Sequence, residues 1–177
     1  MTGYESLFQR LRQQFSRFDE FEQRGKRAID SILRGFAEYL EAPPNTCRVC
    51  RFGDGFNETK TYAPGQLAEL RPDGKFVGCL TVSEAPAAFL RFAFYVHVDG
   101  EWLVLQSGVP ETAKEFRVKM LDASTLSEFY EHTLAQTFEF LDTSPEKIAA
   151  GETSRPIGFV WPEARGSERK RLPKAAP

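Results

Sequence analysis

Between residues 4 and 39 apolar side chains return every three or four positions: Tyr4, Leu7, Phe8, Leu11, Phe15 and Phe18, then Ile29, Ile32, Phe36 and Tyr39. That is the period of a helix. Thr2 with Glu5 three positions later supplies a capping box at its start. In heptad register one row runs Phe8, Phe15, Glu22, Ile29, Phe36 and the other Leu11, Phe18, Gly25, Ile32, Tyr39, so the seam fails only at Glu22 and Gly25. Pro43-Pro44 ends the segment. A straight helix of about 38 residues would be about 57 Å long at a rise of 1.5 Å per residue, against a compact diameter of about 40 Å for a chain of this size. Either the segment breaks near Gly25 into two packed helices, or it projects and meets another chain.

From Cys47 onward the pattern changes to short apolar or alternating runs separated by Gly, Pro and Asp: "TCRVCRF", "KFVGCLTV", "AFLRFAFYVHV", "EWLVLQSG" and "EFRVKML". These predict an antiparallel sheet of four or five strands. In "YVHVDGEWLVL" the Asp99-Gly100 pair fits a two-residue hairpin turn with positive φ at both central positions. "YAPGQLAELRPDGKF" reads as a loop or a single helical turn, with Pro72 and Gly74 forming a turn of their own. "FGDGFN" reads as a turn as well.

A second capping box, Thr125 with Glu128, opens a helix whose apolar stripe is Leu126, Phe129, Tyr130, Leu134, Phe138 and Leu141. Ser144 with Pro145, and Gly151 beyond, mark a short last helix. "RPIGFVWP" suits an edge strand, and the residues after it have the composition of a flexible tail. The expected class is α+β, one domain over 1–162. Within it lie a helical segment at 2–41, a sheet at 46–121 and C-terminal helices at 124–151, with a basic tail at 163–177.

Sixteen Phe against two Met and two Trp make aromatic packing the main content of the interior. No run approaches the roughly 18 apolar residues that span a bilayer, and the first residues lack a secretory apolar stretch. The expectation is a cytoplasmic protein without a membrane partner. Charge is uneven: residues 122–142 carry five acids and no Lys or Arg, while 165–174 carry five Lys or Arg against one Glu. The basic tail is the one segment suited to nucleic acid, and the acidic body opposes it.

Candidate chemistry starts from Cys47 and Cys50. A zinc site needs four ligands, and Cys79, His97 and His132 are the remaining Cys and His in the chain, so Cys47, Cys50, Cys79 and His97 form the conceivable set. If Cys47 and Cys50 share a regular strand, however, their three-residue offset points them to opposite faces. This opposes both shared ligation and a disulfide between them, and no helix follows the pair as in a redox Cys-x-x-Cys. Ordinary thiols are the default, with zinc as the alternative. No phosphate-loop spacing, Gly-x-Ser-x-Gly frame or nuclease-type acid–Lys strand is present.

The reading is therefore a non-catalytic interaction or regulatory protein, a homodimer or a subunit of a complex. Its surface would comprise Phe8, Phe15 and Phe18 on the first helix and Glu128, Glu131 and Glu139 on the acidic one. The alternatives are a small-ligand-binding domain or minor enzyme, with Tyr95, His97, Trp102 and Cys79 lining a sheet-borne cup, and a zinc-stabilised binding module.

Overall fold

The computed structural model describes residues 3–54, 60–63, 65–85, 88–108 and 113–143. The elements in chain order are α1 (Gly3–Tyr39), β1 (Cys47–Cys50), β2 (Glu69–Leu70), β3 (Lys75–Ala85), β4 (Ala88–Asp99), β5 (Trp102–Ser107), β6 (Phe116–Val118) and α2 (Ala123–Leu141). The class is α+β, as the hydrophobic pattern predicts. The cap expected at Thr2, the short helix after Ser144, the strand at "RPIGFVWP" and the basic tail lie outside the described residues.

All strand pairs are antiparallel, in the order β1-β3-β4-β5-β6, with β2 also paired to β3. The five expected runs are the five longer strands. The sixth, β2, falls in the stretch expected to be loop or helical turn. Two residues are too few for an alternating pattern to register, and β2 exists because the turn at 71–74 folds it back onto β3. That turn has the expected chemistry: Gly74 sits at φ +78° and the Gly74 N–H donates to Arg71 O over 3.0 Å. The hairpin between β4 and β5 is shifted by one residue from expectation. Asp99 pairs with Trp102, so the turn residues are Gly100 and Glu101, and Gly100 alone has positive φ, at +56°. Glycine at the first central position is the requirement of the type II′ turn rather than type I′.

Both helices lie on one face of the sheet. Ile29, Ile32, Leu33 and Phe36 of α1 and Phe129 and Tyr130 of α2 close over Phe76, Leu80, Phe92, Phe94, Val96, Leu105 and Phe116. Phe36 is at the centre, its ring 5.0 Å from Phe92, 5.1 Å from Phe94 and 5.3 Å from Tyr130, the first two edge-on. Such contacts add to the roughly 1.5–3 kcal/mol that burying each large apolar side chain contributes. Tyr130 also donates its hydroxyl to Ile32 O over 3.0 Å, joining the helices where Gly35 leaves room.

α2 departs from expectation at both ends. Its N-cap is Asp122, whose carboxylate accepts the Thr125 N–H at 2.8 Å, and this hydrogen bond holds the Asp122 carboxyl below its usual range. The Thr125–Glu128 capping box therefore does not form, because Thr125 is already inside the helix and its N–H is the one being capped. The buried stripe is Phe129, Tyr130, Thr133, Thr137 and Phe140, whereas Phe138 and Leu141 are exposed. Thr133 and Thr137 are tolerated on that face because their hydroxyls donate to Phe129 O and Thr133 O, both at 2.8 Å, and Thr133 reaches Ser107 Oγ at 3.0 Å.

Candidate functional site

α1 is one continuous helix of 37 residues, about 55 Å long. Gly25 does not break it. Gly25 is buried where the helix presses on β3, and an added Cβ would run into the Phe76 ring. The N-terminal side of that contact is fixed by Phe21, whose ring lies 5.2 Å from Phe76. Arg24 donates its two terminal guanidinium nitrogens to Gly100 O and Glu101 O, tying the helix to the tip of the β4–β5 hairpin. There the sheet ends, but the helix continues toward Gly3 for about five more turns.

Along this free half no described residue packs beneath the stripe. Tyr4, Leu7, Leu11, Phe15 and Phe18 are exposed, Phe15 by 60% and Leu7 by 63%, and Phe8 is little better covered. Among the described residues the aromatic contacts there are Phe18–Phe21 and Tyr4–Phe8, the latter one turn apart at 4.5 Å. Beside the root of the free half runs a groove of about 700 Å³ between α1 and the end of the sheet, lined by Asp19, Gln23, Arg27, Leu103 and Met120 among others. Met120 is itself exposed. Phe8, Phe15 and Phe18 thus fall together on one accessible stripe. Glu128, Glu131 and Glu139 are exposed on α2, and Glu128 is 4.0 Å from Lys114.

The other face of the sheet carries the remaining candidates. Register places Cys79, Tyr95, His97 and Trp102 on that one face, on β3, β4 and β5, so the expected lining residues do share a surface. Cys79 and Tyr95 are buried there, in a small cluster with Cys50, Val77 and Ala93. Phe52 and the Arg71 guanidinium, 6.4 Å and 5.9 Å from the Tyr95 ring centre, form part of the cover. Lys75 Nζ donates to the Gln106 side chain at 2.7 Å, and Arg117 and Lys119 lie over Trp102. These long side chains spread their stems over apolar surface and keep their charge near water.

Cys47 and Cys50 point to opposite faces, as a three-residue offset in a strand requires. Cys47 pairs with Val82 and packs beside the main core, while Cys50 belongs to the second cluster. The set Cys47, Cys50, Cys79 and His97 is accordingly divided between the two faces. Among the described residues no group of three or more His, Cys, Asp and Glu is placed to hold a metal ion.

What the linear pattern did not reveal is that Cys50 stands directly opposite Cys79 in the β1–β3 ladder. The two thiols share one buried cluster, and Thr81 Oγ1 lies 3.4 Å from Cys50 Sγ. With help from the charges of Arg91 and Arg48, and against the cost of burial, these contacts lower the Cys50 thiol to about 6. The same neighbourhood of the two thiols raises Cys79, and burial raises it further.

Next to this pair the chain makes a turn in which the Arg51 N–H donates to Asp54 Oδ2 at 2.8 Å and the Asp54 N–H to Arg51 O at 3.2 Å. Burial pushes the Asp54 carboxyl up, but donation from the Tyr62 hydroxyl, from the Arg51 N–H and from Lys60 outweighs it and leaves the group below its usual range. Arg91 reaches across from β4 to Asp54 O at 2.9 Å. Asp54 is the hub that pins the connection after β1 to the sheet.

Compared with known proteins, the chain matches no family model, no curated protein and no solved structure. Among the described residues no helix is long and apolar enough to cross a membrane.

Proposed function

We propose that the protein is a non-catalytic interaction protein that acts as a homodimer, joined along the free half of α1. One observation carries this reading: a single amphipathic stripe is half covered by the protein's own sheet and half left in water. A chain that exposes six large apolar side chains on about 27 Å of helix keeps an unfavourable surface unless something covers it.

A second copy fits that surface. The free half keeps the heptad spacing at Tyr4, Phe8, Leu11, Phe15 and Phe18, which is self-complementary in a two-stranded seam. Residues 3–20 carry Glu5, Asp19 and Glu20 against Arg10, Arg12 and Arg17, so two copies meet without net repulsion. The packed half nucleates the helix, so the free half needs only propagation to persist before the partner arrives. The groove at its root, with exposed Met120, extends the apolar surface toward the sheet.

Phe15→Glu is the direct test. In a two-fold interface the substitution acts twice, removing roughly 3–6 kcal/mol of burial and raising the dissociation constant by about 100-fold or more. Light scattering over a concentration series should report a dimer for the native chain and a monomer for the variant. A native chain that stays monomeric up to hundreds of micromolar would overturn the reading. In that case a different protein as partner, or ligand chemistry on the opposite sheet face around Tyr95, His97 and Trp102, becomes the reading to pursue.

A further inference from the structure

We propose that Cys50 and Cys79 form a redox site, a buried dithiol that hydrogen peroxide closes to a cross-strand disulfide and that thiol reductants reopen. The two residues are direct partners in an antiparallel ladder, where Cα atoms lie about 4.5–5.5 Å apart. That separation falls within the range of about 4.4–6.8 Å that disulfides span without moving the backbone. Both are free thiols, and they share one face within one small buried cluster. Cys47, on the same short strand, pairs with Val82 and is excluded by facing the other way.

The two sulfurs have different roles. Cys50 has Cys79 directly opposite and the Thr81 hydroxyl 3.4 Å from its sulfur, and it lies in the field of Arg91 and Arg48, surroundings that favour its thiolate. Cys79 keeps its proton and has Glu69 among the charges near it. Cys50 is therefore the attacking sulfur. Its electron pair takes one peroxide oxygen, the O–O bond breaks, and the departing hydroxide takes up a proton to leave as water. The sulfenic acid on Cys50 is then attacked by the Cys79 sulfur. The S–S bond forms as the S–O bond breaks, and the second hydroxide leaves as water with the Cys79 proton. In sum two thiols lose two electrons, and one peroxide is reduced to two waters.

Access comes from the position of the pair. Cys50 is the last residue of a four-residue strand at the sheet edge, and beyond it the ladder on β3 stops until Glu69 pairs with Val77. Parting β1 from β3 at this end breaks the last rungs of a four-residue ladder and the Arg91–Asp54 bond just beyond it, and local openings of short edge strands cost far less than global unfolding. A small oxidant reaches the sulfurs through such openings.

The native protein itself provides the test. Folded, reduced protein is exposed to hydrogen peroxide, quenched with N-ethylmaleimide, digested without reductant and mapped by mass spectrometry. The expected product is a peptide pair joined through Cys50 and Cys79, lighter by two hydrogens, with Cys47 alkylated, and dithiothreitol should restore both thiols. In Cys79→Ser the resolving sulfur is gone, and dimedone should label Cys50. The proposal is overturned if the folded protein gives no such crosslink while both cysteines remain alkylatable, if Cys50 advances to sulfinic acid beside an alkylated Cys79, or if Cys47 is the first to oxidise.

Discussion

The two halves of α1 have the same repeat and opposite surroundings. From Phe21 to Tyr39 the stripe meets Phe76, Leu80, Phe92 and Phe94, and its central residues are fully buried. From Gly3 to Glu20 the same three-and-four spacing continues into water. A periodic apolar face states that a helix has one side to bury, and only the extent of the sheet decides how much of that side it can cover. Here the sheet ends at the turn of Gly100 and Glu101, and everything N-terminal to Phe21 extends past it.

The largest test of this contrast substitutes equivalent seam residues on either side of the boundary. Phe36→Ala removes a fully buried ring that touches three others and should cost about 3–5 kcal/mol. Phe15→Ala should change the stability of the monomer by less than about 0.5 kcal/mol while weakening any association. Urea unfolding at low concentration would compare them, and equal losses would mean that the free half is packed after all.

Gly25→Ala probes the boundary. On an open helix the change would stabilise by roughly 0.5–1 kcal/mol, but here the new methyl meets Phe76, and the result should be a net loss of about 1–3 kcal/mol. A gain in the unfolding midpoint would show that the helix stands off the sheet at this point. The smallest effect concerns Glu22, which pairs with Lys26 at 2.7 Å just where the stripe changes surroundings. Glu22→Gln should cost less than about 0.5 kcal/mol, and the difference should fade as salt is raised.

Some of this was readable directly from the chain. Five strand runs, the helical character of residues 3–39 and the turn at Pro72–Gly74 follow from local rules, and the opposite orientation of Cys47 and Cys50 follows from strand period alone. The misses have local causes too. Asp122 captured the cap of α2 because its side chain, one residue before the helix, reaches the Thr125 N–H. Thr133 and Thr137 joined the buried face while Phe138 and Leu141 were left exposed, because helical back-bonding satisfies the threonine hydroxyls, and a binary apolar pattern cannot see that.

By itself the sequence determined the two long helices and the five longer strands, and the apolar stripe of α1, because these depend on dihedral preferences and on periods of 3.6 and 2. Tertiary structure alone decided that Gly25 is a contact rather than a break, since that depends on the Phe76 ring it meets. It also decided that Cys50 faces Cys79 rather than any other residue 29 positions away. Strand register is set by the closure of the whole β1–β3 ladder, and no local spacing encodes the partner a residue meets across a sheet.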